Sequence, residues 1–132
     1  MTQKLRIPTI QVVRDAHARE MAIAGQKSRI RDESVLESAC ARPQNRAAYD
    51  DDATIYDIAA EFAFGLARSQ SFVDGNKRAA FAAAYMTLRM NGLLPDWTNR
   101  EAIEVFNDLA AGKLSQGDLA RWLEANTLLA PD

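Results

Sequence analysis

The sequence predicts an all-α fold, a single-domain bundle of about six helices over residues 1–132, built around a central apolar helix. Three observations predict it. Apolar residues recur at helical spacings almost throughout. Capping signals open most of these runs and glycine or proline closes them. One run, AAFAAAYMTLRM, is apolar nearly all round, so all its faces need cover and it belongs inside a bundle.

The elements follow in chain order. After Pro8, the residues Val12, Val13, Ala16, Met21 and Ile23 predict a first helix near 8–24 that ends at Gly25. Residues 26–31 are polar, basic and without a period. They read as a loop or short hairpin carrying Lys27, Arg29 and Arg31. Ser34 with Glu37 has capping-box spacing, so a second helix starts near Ser34 and stops at Pro43. Residues 43–53 then form a polar connection. Thr54 with Asp57 caps a third helix with Ile55, Ile58, Ala59, Phe62 and Leu66, running out near Ser69. The fourth, apolar helix runs from Asn76 or Lys77 to the stop at Asn91-Gly92. Thr98 with Glu101 caps a fifth, which buries Ile103, Val105, Phe106 and Leu109 and ends at Gly112. Ser115 and Asp118 open a last helix with Leu119, Trp122 and Leu123. Trp97 and Trp122 fall at the edges of apolar faces and read as core or capping residues.

Bulk properties narrow the classes. The chain has 132 residues, enough for one domain with a real core. A net charge of −2 supplies no global basic field, so no direct nucleic-acid partner is expected. The one cysteine, Cys40, has helical neighbours and reads as a small buried residue in a reducing compartment. No apolar run reaches signal-peptide or membrane-span length, so the expected location is cytoplasmic.

One loop is decorated beyond what a bundle needs. In SQSFVDGNKRAAF, from Ser69 to Phe81, the residues Asp74, Gly75 and Asn76 stand where the fourth helix begins. The first N–H groups of a helix lack internal partners and attract anions. Gly75 allows close approach of an anion. Lys77 and Arg78 put two cations in the first turn, where the helix dipole disfavours them and a phosphate would offset that cost. Asp74 is either the N-cap or a ligand for a hard ion such as Mg²⁺. Phe72, between polar neighbours, anchors the loop. The same residues also fit a plain helix start with two solvated cations.

The segment FVDGNKR, Phe72 to Arg78, resembles the motif HxFx(D/N)(G/A)N(K/G)R of the Fic/Doc family, and the Doc branch most closely. The likeness extends to LESACARPQ upstream, to the NGL at Asn91–Leu93 and to the closing LAAGKLSQGDLARWL. It implies a toxin of a toxin–antitoxin pair that moves the γ-phosphate of ATP to a hydroxyl of elongation factor Tu. Its partner would be a Phd-like antitoxin whose disordered tail folds as a helix in a groove. AMP-transferring relatives carry a glycine where this chain has Lys77 and an arginine where it has Phe81. By the resemblance, Gly75, Asn76, Lys77 and Arg78 hold nucleotide phosphates, Asp74 helps place them or Mg²⁺, and Phe72 is structural.

The chain departs from the family at Gln70, where the catalytic histidine falls. Imidazole can take the proton of an attacking hydroxyl near neutral pH; a glutamine amide can only orient it. Gln70 is an introduced disarming substitution, or it marks a native binder that barely catalyses, or another base serves. The single histidine, His17, reads as a packing or surface residue. A second departure is residues 25–31, glycine-rich in Doc-like relatives and carrying Gln26 and Arg29 here. Those charges read as solvated surface; if the loop flanks the substrate site, they bear on target choice.

Overall fold

A computed structural model of the chain describes residues 4–131; residues 1–3 and 132, the ends of the expected domain span, lie outside the described residues. It is built from six helices: α1 (Ile10–Ile23), α2 (Glu33–Tyr49), α3 (Ile55–Ser69), α4 (Asn76–Met90), α5 (Asn99–Ala110) and α6 (Gln116–Ala125). Two three-residue strands, β1 (Leu93–Pro95) and β2 (Thr127–Leu129), pair antiparallel. Among the described residues no helix is long and apolar enough to cross a membrane.

The core centres on the α3–α4 hairpin. Ile58, Ala59, Phe62, Ala63 and Leu66 of α3 meet Ala79, Ala80, Ala83, Ala84 and Leu88 of α4. Small residues on α4 bring the two backbones close, so α3 can also reach α2, α5 and α6. The apolar fourth helix packs into the core, but it is not covered on all faces, since Tyr85, Arg89 and Met90 are exposed, and α3 buries more of its residues.

Caps fix the ends. Thr54 and Thr98 make the expected capping boxes with Asp57 and Glu101, and Ser115 caps α6. Two expectations fail at α2. Its N-cap is Asp32, which accepts from the Ser34 and Val35 N–H groups; Ser34 instead donates its hydroxyl to Asp32. The helix also runs through Pro43 to Tyr49. Leu36, Ala39, Cys40 and Pro43 form one buried stripe at i, i+3, i+4 and i+7. Burial of that stripe outweighs the local cost of an internal proline, roughly 3 kcal/mol. Arg46 then bonds Glu61 of α3 at 3.0 Å and holds the extended end of α2 in place. Residues 43–49 are thus helical, and the polar connection shrinks to 50–54. Cys40 is buried, and desolvation pushes its thiol up to about 11, so it is inert at neutral pH.

Candidate active site

The candidate site forms at the loop from α3 to α4 and is built by three chain segments. Gln70 ends α3 in the left-handed region at φ 52°, alone among the described non-glycine residues. Such a conformation is strained for a side-chain-bearing residue. Arg31 offsets it: its Nε donates to the Gln70 carbonyl at 2.5 Å and its Nη2 to that of Ser69 at 3.4 Å. The Gln70 side chain is exposed, with no hydrogen bond among the described residues.

Residues 29–32 lie antiparallel to 71–73. The Arg31 N–H donates to the Ser71 carbonyl at 2.8 Å and the Val73 N–H to that of Arg29 at 2.9 Å, around an Ile30–Phe72 bridge. The basic loop is therefore pinned at its C-terminal end, while Lys27, Arg29 and Arg31 are exposed, as solvated charges are. Arg31 is part of the frame, and Lys27 and Arg29 border a cavity of about 290 Å³ with Met21, Val73 and Asp74.

Phe72 is fully buried and stacks on His17 with ring centroids 3.7 Å apart. Asn76 clamps the loop, its side-chain oxygen accepting from the Phe72 N–H and its amide donating to the Phe72 carbonyl, both at 3.0 Å. The Asn76 side chain is thereby engaged in folding the loop, and its backbone N–H has no side-chain partner. Asp74 is not the N-cap of α4. That position is Gly75, at φ 79°, and Asp74 Oδ1 accepts from the Gly75 N–H at 2.8 Å. A Cβ on Gly75 would sit 2.7 Å from the Met21 sulfur and 2.8 Å from His17 Nε2. Conformation and space both require glycine here.

The consequence is an uncapped helix. Thr9, Asp32, Thr54, Thr98 and Ser115 cap the other five helices with a side chain, whereas α4 has no side-chain cap. Its first-turn N–H groups lack partners. Lys77 and Arg78 follow at once, and among the described residues neither has an ion-pair partner. Lys77 Nζ donates to Asn107 of α5 at 2.9 Å. Both cations border an apolar groove of about 370 Å³ between α1, α4 and α5, floored by Phe81, Ala102 and Phe106 with Ile103 exposed at its rim.

The Fic/DOC family model matches residues 8–88, which take in α1, the basic loop, the α3–α4 loop and nearly all of α4. The chain belongs to the Fic/DOC family. Toxin Doc of Mycolicibacterium smegmatis is 40% identical over 90 residues, covering 65% of this chain and 68% of that protein. Gln70 lies within the matched residues, at the opposite end of the loop from the uncapped helix start.

Two site residues escaped the sequence reading in their roles. His17 is a packing residue, as one of its two sequence readings has it, and it also makes polar contacts that the sequence does not show. It is wholly buried, with Nδ1 2.6 Å from Ser28 Oγ and Nε2 2.7 Å from the Asp74 carbonyl. Burial lowers its pKa, partly offset by the bond to Asp74. Its inward direction was legible, because Val13 and Met21 flank it at i−4 and i+4. Arg31 left no such signal, since its partners lie 38 and 39 residues away.

Proposed function

We propose that the chain is a Doc-type toxin of a type II toxin–antitoxin pair, a protein kinase that moves the γ-phosphate of ATP to a hydroxyl of elongation factor Tu, impaired at Gln70. The observation that carries this is the start of α4: an uncapped helix N-terminus at a glycine, followed by two cations without ion-pair partners. Family membership and the likeness to a toxin Doc support it.

The residues would act as follows. The N–H groups of Asn76, Lys77 and Arg78 and the two cationic side chains hold the nucleotide phosphates and stabilise charge that develops on them. Asp74 keeps one carboxylate oxygen clear of the Gly75 N–H. No group of three or more metal-ligating side chains occurs among the described residues, so the donor set fits a cation shared with phosphates rather than a protein-only cage. Bound there, Mg²⁺ would neutralise charge on the phosphates. The target hydroxyl approaches along the loop pair 29–32 and 71–73, within reach of Gln70. The Gln70 oxygen can accept a hydrogen bond from that hydroxyl and orient it, but cannot carry its proton away. Loss of a general base costs on the order of 10²–10⁴ in rate. The groove beside Lys77 and Arg78 suits the folded tail of a Phd-like antitoxin, which would cover both cations. A cytoplasmic setting fits the single buried thiol.

An ATP-transfer assay with elongation factor Tu tests this, run on this chain and Gln70→His with the adduct read by mass spectrometry. Phosphate transfer by the variant and little by the parent is expected. An AMP adduct would assign the chain to the AMP-transferring class, against Lys77 and Phe81. A glutamine at 70, which cannot take a proton, also supports a second reading, a homologue that only binds an antitoxin; silence from both proteins would support it.

A further inference from the structure

We infer that His17 and Ser28 are positioning residues of the phosphate cradle: a hydrogen-bond chain from the Ser28 hydroxyl through the His17 ring to the Asp74 carbonyl holds the start of α4 in shape for an anion. The inference deepens the nucleotide-binding reading and rests on it. A carbonyl can only accept, so His17 Nε2 carries the proton and donates to Asp74 at 2.7 Å. In the neutral ring Nδ1 then accepts from the Ser28 hydroxyl at 2.6 Å. The tautomer is thereby fixed by its two partners.

The placement fits positioning better than packing. Val13 and Met21, the neighbours of His17 on the buried face of α1, are apolar, and an apolar residue would fill position 17 as well. The ring instead stacks on Phe72 and lies against Gly75, so it touches the middle of the loop and its junction with α4. Its bond to Asp74 constrains the peptide that enters Gly75, and Gly75 is the N-cap residue that, having no side chain, leaves the helix uncapped. Ser28 belongs to the basic loop that pairs with residues 71–73, so the same chain ties that loop to the cradle. Burial favours the neutral ring on which this arrangement depends.

The test is a calorimetric titration of Mg²⁺-ATP into the unaltered chain, Ser28→Ala, His17→Leu and His17→Gln, with thermal melts and ¹⁵N spectra alongside. Gln retains an N–H donor near the Nε2 position. The expected result is a loss of affinity of about tenfold in His17→Leu and about threefold in Ser28→Ala, with near-parental binding in His17→Gln. Ser28→Ala leaves the buried Nδ1 of His17 without its partner, so this variant should melt somewhat below the parent, and binding is compared well below both midpoints. Parental affinity in both Ser28→Ala and His17→Leu would overturn the inference, as would a ring spectrum with the proton on Nδ1. Should His17→Leu not fold, Ser28→Ala and the ring spectrum decide. Absence of ATP binding by the unaltered chain would sink the nucleotide reading instead. The ring tautomer, with the Gly75–Arg78 amide shifts in Ser28→Ala, would then still decide whether His17 shapes the loop.

Discussion

At the residue scale, the shape of the loop depends on groups that bear no charge, while Lys77 and Arg78 supply the charge beside it. Gly75 carries both a positive φ and a contact that forbids a Cβ. Gly75→Ala should lower the unfolding free energy by about 2 kcal/mol, read from denaturant melts, and should move His17 or Met21. His17 sets a pH dependence. Its buried ring holds a proton less readily than the unfolded chain does. Its contribution to stability is therefore fully present above about pH 6.5 and declines as the pH falls through that value. Denaturant midpoints should drop between pH 7.5 and 5, and His17→Gln should flatten that part of the curve. The loop stood out in the sequence because two cations follow an N-cap-like Asp-Gly, and positive charge in a first turn runs against helix logic. The roles of Asn76 and Arg31 were not legible, because they are set by backbone carbonyls and N–H groups that only the folded loop brings near.

At the element scale, most helix boundaries were readable because caps are local. Thr54, Thr98 and Ser115 each bond an N–H three residues on, a spacing visible in the chain. The failures came where a longer-range term overrode the local one. Pro43 should end a helix, but the stripe Leu36, Ala39, Cys40 and Pro43 is buried against the bundle. Likewise, Ser34 with Glu37 imitates a capping box that Asp32 pre-empts. The two candidates separate by mutation. Asp32→Ala should cost about 1 kcal/mol of stability, and Ser34→Ala well under half of that, measured by chemical unfolding. Equal losses would contradict the observed cap. The strands β1 and β2 were missed because each is three residues long, and their pairing joins chain segments on either side of α5 and α6.

At the scale of the whole molecule, the α3–α4 hairpin both fills the core and presents the site. The hairpin connection is the motif loop itself, so packing between the two helices sets the loop's span. Ala83 and Ala84 are fully buried on α4. Ala83→Leu should cost about 1–3 kcal/mol by overpacking and should weaken anion binding through the displaced loop, measured by thermal melts and ATP titration. The central claim is that the start of α4 is a nucleotide-phosphate cradle. Backbone amide spectra recorded while Mg²⁺-ATP is added to the Gln70 chain test it most directly. Saturable shifts are expected at Gly75, Asn76, Lys77 and Arg78, and they are lost in a Lys77→Ala, Arg78→Ala double variant. Shifts confined to other helix starts, or none at millimolar nucleotide, would contradict it.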